Sequence, residues 1–179
     1  MKDMTVSKAL LWLFIAEILM IFSGWGVVGA ILAIIAFVLN LVALYGASKL
    51  DGGYHTAFVL SVVGVVISVV MMIVNSEGFV YSLLSIVGDV VALGILYFVV
   101  TTTCKQLDAA GAPEVSGKGE RIWKINLICT IVSVVLTLLA LIPIINIIAA
   151  VLLVIVAIVM LVAYVLYLIF LWKSHKALA

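Results

Sequence analysis

The sequence predicts an all-α polytopic membrane protein: six transmembrane helices arranged as three helical hairpins, forming one integral membrane domain over 1–179. Three observations predict it. Of 179 residues, 68% are hydrophobic and 9% charged, whereas a soluble domain carries about 25% charged residues. A small soluble domain has too much surface per volume to hide that much apolar area from water. The apolar residues also fall into blocks of the length, about 20 residues, that crosses a hydrocarbon core. Finally, six alternating spans put all nine Lys and Arg on the same face.

The spans follow in order. An apolar stretch from Ala9 to Ser48 is twice the length of one span and is broken once, at Ser23-Gly24-Trp25-Gly26. Glycines favour turns and Trp favours the membrane interface, so the stretch reads as a hairpin with helices over 8–23 and 26–48. The first is slightly short, which a recessed end or local thinning of the bilayer accommodates. It also has the look of a signal peptide, but Glu17 interrupts its apolar run and no small-residue cleavage site follows; it is read as a retained span. After the polar turn Lys49–Gly53 comes a third helix over 54–74. The turn Asn75-Ser76-Glu77-Gly78 leads to a fourth over 79–103. The stretch 104–121 carries Pro113, three glycines and several charges, and reads as a solvated cytoplasmic loop. A fifth helix over 122–141 and a sixth over 144–172 are separated at Pro143.

Lys2, Lys8, Lys49, Lys105, Lys118, Arg121, Lys124, Lys173 and Lys176 all fall on one side of this topology. The other side holds Ser23–Gly26, Asn75–Gly78 and the Pro143 turn, with no positive charge. By the positive-inside rule the basic face is cytoplasmic, with both termini there, in a multi-pass cell-membrane protein. Aromatics mark the boundaries: Tyr45, Tyr54, Trp123, Tyr167 and Trp172 on the inner side, Trp25, Phe79 and Tyr81 on the outer. Each hairpin ends near a lysine, with a hydropathy period of about 55–60 residues; parallel repeats would do this, and so would any six-span chain with short outer loops.

Several function classes are excluded. Net charge is +1, with no basic stripe or reading module for nucleic acid. Cys104 and Cys129 are too few and too far apart for a disulfide framework or a metal set. His55 and His175, the only histidines, lie near the inner face, so paired intramembrane haem ligation has no residues. No cofactor and no metal site is expected. The partners expected are the lipid bilayer and a second copy or a partner membrane subunit.

Helices in lipid associate through small and polar residues. Such stripes run along helix 2 (Gly29, Ala33, Ala36, Asn40, Ala43), helix 3 (Ala57, Ser61, Gly64, Ser68), helix 4 (Ser82, Ser85, Asp89, Ala92) and helix 5 (Asn126, Thr130, Ser133, Thr137). On helices 2 and 3 the stripes read as close packing; on helices 4 and 5 they also suit a polar-lined cavity. Two carboxylates, Glu17 and Asp89, sit roughly 13–15 Å from their boundaries at 1.5 Å per residue. Acids at that depth are costly and face the interior. If they approached each other they would share a proton. The substrate- or ion-binding candidates are therefore Asp89 and Glu17, with Asn40, Thr130 and Ser133 as lining.

Asp51-Gly52-Gly53-Tyr54-His55 resembles a fragment of the accessory-gene-regulator peptide-processing family, six-span cysteine proteases with a Gly-Gly-x-His stretch. The resemblance covers about four residues and implies a His–Cys pair. This chain departs from the pattern: Val62 stands where the family's cysteine would follow, and the basic N-terminal extension is missing. Cys104 is the remaining thiol near His55, and with Asn126 and Lys124 it makes the one cluster an intramembrane enzyme would use. No other catalytic signature is present, and a non-enzyme is expected. Size, span count and interior acids suit a small transporter, channel or transport-complex subunit. The competing reading is a non-transporting assembly, immunity or regulatory subunit.

Overall fold

The computed structural model describes residues 4–74, 79–140, 142 and 145–179. They form six α-helices and, among the described residues, no strand: α1 (Val6–Ile21), α2 (Gly26–Ser48), α3 (Gly52–Ile73), α4 (Phe79–Ala109), α5 (Pro113–Ala140) and α6 (Asn146–Ala177). The helices α2 to α6 are each long and apolar enough to cross a membrane. At 16 residues, α1 is about 24 Å long, short of a full hydrocarbon core, as its sequence suggests.

Local chemistry sets the ends. Thr5 caps α1 by accepting from the Lys8 amide at 3.2 Å. The Asp51 carboxylate caps α3 by accepting from the Gly53 amide at 2.8 Å. Gly26 begins α2 at φ 60°, which only glycine adopts without strain. The turns expected at 75–78 and at Pro143 lie outside the described residues.

The expected loop over 104–121 is corrected. Helix α4 continues to Ala109 and α5 begins at Pro113, leaving a three-residue connection, 110–112. Gly111 ends α4 at φ 77°. The Ala112 amide reaches back to the Leu107 carbonyl at 2.8 Å, the wrap that closes a helix on a left-handed glycine. Pro113, missing its N–H, is well suited to open α5. The polar composition that reads as a loop instead belongs to two helices that extend past the apolar span, with Cys104, Leu107, Ser116 and Gly119 buried between them.

Each helix packs on its chain neighbours, and α6 closes back onto α1, so the six form a ring. Among the described residues α1 does not reach α4. The long apolar side chains on the outside, such as Val28, Ile34, Ile147 and Val154, are exposed; in this composition they face lipid.

Among the described residues the large buried cluster lies at one end. It joins Leu10 and Leu13 of α1, Leu44 of α2, Tyr54 of α3, Val100 and Leu107 of α4, Ile122 of α5, and Tyr167, Phe170 and Leu171 of α6. This is the end that carries the described lysines and Arg121. Lys49 stacks its ammonium on the exposed Tyr45 ring at 4.5 Å and Lys176 on Trp172 at 4.7 Å, the placement of cations reaching for a headgroup layer. Tyr54 and Tyr167, expected in that belt, are buried instead, and the Tyr54 hydroxyl bonds Thr103 at 2.8 Å. At the closed end α1 is latched to α6: Ser7 Oγ lies 2.8 Å from His175 Nδ1 and donates to the His175 carbonyl at 3.0 Å.

Candidate functional site

Above the buried plug an open cavity indents the bundle. This cavity of about 770 Å³ is lined by side chains from all six helices. Its polar members are Glu17 of α1, Asn40 of α2, Ser61 and Ser68 of α3, Asn126 of α5, and Tyr164 and Tyr167 of α6. Apart from Ser68 they lie roughly two to four helical turns in from the basic end, so they form the cavity floor. Its wall is apolar: Val65, Val69, Met71 and Met72 of α3, Val91 and Ile95 of α4, and Phe37 of α2.

The seam between α2 and α3 sets the opening. Near the basic end Tyr45 and Phe58 hold the seam with ring centroids 5.6 Å apart. Toward the far end the lining residues Phe37, Val69 and Met72 are exposed, Met72 at 86%. The cavity thus opens sideways and away from the basic end.

Glu17 has a specific partner. The Tyr164 hydroxyl lies 2.7 Å from the Glu17 carbonyl oxygen and 2.9 Å from its Oε2. A phenol has one proton to donate, so it serves one acceptor at a time. With an ionised carboxylate the proton turns to Oε2; with a carboxylic acid it goes to the carbonyl, and the acid donates to the phenol oxygen. The pair accommodates both forms of the acid without moving a helix. No Lys, Arg or His is in the cavity lining among the described residues.

Asp89 stands elsewhere. It is exposed on α4 at a smaller cavity of about 170 Å³, lined also by Asn126, Thr130 and Ser133 of α5 and Met160 of α6. Asn126, Ala92 and Leu96 line both cavities and form the partition. The five sequence candidates therefore fall into two groups, Glu17 with Asn40 and Asp89 with Thr130 and Ser133. The two carboxylates line different cavities, on helices that do not touch among the described residues.

The stripes also sort differently from their sequence reading. On α2, Gly29, Ala36, Ala43 and Ala47 are buried in packing, as expected. On α3, Ser61, Gly64 and Ser68 line the cavity rather than a tight seam. Their hydroxyls bond back to the preceding turn, Ser61 to Ala57 at 2.9 Å and Ser68 to Gly64 at 3.0 Å.

Sequence reasoning missed Tyr164 as a site residue. The available signal was a tyrosine well inside an apolar span, away from the interface where tyrosines collect. It placed Asn126 on the helix-5 polar stripe but not among the binding candidates, although that residue borders both cavities.

A third cleft, of about 380 Å³, opens at the basic end among Asp51, Thr102, Cys104, Lys105, Asp108 and Glu120. His55 is exposed on α3 and absent from that lining. The buried Cys104 thiol donates to the Ser116 carbonyl at 3.3 Å. Asp51-Gly52-Gly53 opens α3, so the fragment shared with the peptide-processing family serves here as a helix start. Among the described residues no group of three or more His, Cys, Asp or Glu is placed to hold a metal ion.

The fold and site define a class: a multi-pass helical membrane protein with an open cavity among its described residues. Comparison of the chain with protein-family models, with curated proteins and with solved structures finds no match.

Proposed function

We propose that the protein is a small solute-binding membrane protein, a transporter, channel or transport-complex subunit, whose solute occupies the central cavity. The single observation that carries this reading is the cavity itself: all six helices contribute to one space with a polar floor at the depth of Glu17, sealed by packed side chains at one end. A bundle built only for assembly has no need of such a void, because unfilled interior forfeits dispersion contacts on every side. On this reading the basic end is cytoplasmic by the positive-inside rule and the protein sits in the cell membrane, so that the cavity faces outward. The reading is non-catalytic: the floor groups suit recognition, and no thiol or imidazole lies among them.

The experiment is thiol accessibility. Ser61→Cys is introduced into a Cys104→Ala, Cys129→Ala background and treated in sealed membranes with a membrane-impermeant thiol reagent. Ser23→Cys and Lys118→Cys, both exposed in the native fold, report the two faces. Labelling of position 61 from the face that labels position 23 is expected. A position 61 that stays unlabelled while both controls react means a dry, closed interior, and overturns the solute reading in favour of a non-transporting assembly or regulatory subunit.

A further inference from the structure

We propose that the central cavity is a site for a lipophilic monovalent organic cation, with the Glu17 carboxylate as its counter-charge. This rests on the reading of the cavity as a solute site and gives that solute its chemistry.

Charge comes first. Among the described residues Glu17 is the one carboxylate in the lining, and no basic side chain lines the cavity with it. An acid at mid-membrane is either protonated or, when ionised, neutralised by a partner. The lining supplies a hydrogen bond from Tyr164 but, among the described residues, no cation, so when Glu17 is ionised the counter-charge is left to the occupant. A net-negative site without a basic group repels an anion.

The surroundings select the kind of cation. Metal ions bind through several oxygens or through sulfur and nitrogen ligands, and no cluster of that sort is present among the described residues. Instead, the rings of Tyr164, Tyr167 and Phe37 line the cavity with the acid, and aromatic faces attract organic ammonium groups. Aliphatic and methionine side chains make up most of the remaining wall, which favours apolar substituents around the charge. The volume, about 770 Å³, lies within the range of roughly 300–1,000 Å³ typical of sites for drug-sized molecules.

The entrance agrees with this chemistry. It lies in the α2–α3 seam, where Val69 and Met72 are exposed at 52% and 86% on a surface otherwise covered by lipid. A cation with apolar substituents partitions into a leaflet and reaches such an opening from the side.

The test uses the full-length protein in detergent micelles and two probes of matched size and shape but opposite charge, tetraphenylphosphonium and tetraphenylborate. Saturable binding of the phosphonium, at least tenfold tighter than any binding of the borate, is expected. Glu17→Gln, which keeps the shape and can still bond Tyr164, is expected to weaken phosphonium binding at least tenfold, while Asp89→Asn changes it less than twofold. Equal binding of both probes, or phosphonium binding indifferent to Glu17→Gln, overturns the cation site and leaves the cavity reading standing if Ser61→Cys labels. No binding of either probe with position 61 labelled also overturns the cation site alone. No labelling at position 61 overturns both. Should Glu17→Gln fail to fold, the comparison of the two probes on the unmodified protein still decides the charge selectivity.

Discussion

Gly119 sits where the closed end of the bundle is tightest, and its replacement by alanine tests whether that end is as dense as described. A Cβ at position 119 would lie 2.6 Å from the Cys104 sulfur and 2.7 and 2.8 Å from two ring carbons of Phe170. All three residues are buried. The sulfur is tied to the Ser116 carbonyl and the Phe170 ring is enclosed by the core cluster, so neither has free space to withdraw into. Overpacking of this kind costs about 1–3 kcal/mol, and the better helix propensity of alanine returns about 1 kcal/mol. The expected net loss is about 0–2 kcal/mol, a fall in Tm of up to about 8 °C for a chain of this size, against the gain expected at Gly117 below. Gly117 is the internal control: it lies in the same helix, and a methyl group added there would meet nothing within 4 Å. Gly117→Ala should raise Tm by about 2–4 °C through propensity alone. The assay is thermal unfolding in micelles followed with a thiol-reactive dye, since both native cysteines are buried until the fold opens. Phe170→Leu combined with Gly119→Ala should lose less than the sum of the two single changes. A Gly119→Ala protein as stable as Gly117→Ala would refute the close approach of α5 to α4 and α6.

Two further predictions concern the other seams. Gly53→Ala would drive a methyl group into the Thr102 hydroxyl of α4; a loss of about 1–3 kcal/mol is expected, relieved by Thr102→Ala and read by the same thermal assay. Tyr164→Phe removes the bond between α6 and Glu17. Interhelical bonds in membranes are worth about 0.6 kcal/mol on average and at most about 1.7, so a Tm drop of no more than about 7 °C is expected, and a larger drop would show the phenol doing more than bonding Glu17.

Much of the fold is legible in the chain because lipid imposes a length on every span. Helix α2 matches its expected 26–48 at both ends, since a positive-φ glycine and a lysine bracket an unbroken apolar run. The stretch 104–121 misleads for a physical reason: beyond the membrane, hydropathy no longer marks helices, and glycines at 117 and 119 look like breakers. The better signal was spacing, with Ser116, Gly119 and Ile122 recurring every third residue and all buried. The site was half legible. An acid within an apolar span announces itself, and Glu17 and Asp89 did. Their surroundings did not, because Tyr164 lies 147 residues from Glu17 and no local pattern carries that pairing.

Small residues pose the deepest ambiguity, since a glycine on a helix face can bring two backbones together or leave a space between them. The structure separates these cases. At Gly53 and Gly119 an added methyl collides with a neighbouring helix; at Gly64 and Gly88 it meets only Val91 at 3.7 Å and Ile67 at 3.9 Å, ordinary contact distances. The latter pair lies on facing helices at the cavity wall, where β-branched neighbours are too short to fill the interior. Gly64→Ala and Gly88→Ala should therefore each raise Tm, by about 2–4 °C, because propensity acts unopposed. Ser61→Cys should still label in either background, since one methyl removes little of a void of about 770 Å³. If instead both alanines destabilise the protein as Gly119→Ala does, α3 and α4 pack backbone to backbone at that level. The hollow between them would then be too narrow for a solute, and the cavity as a binding site would fall with it.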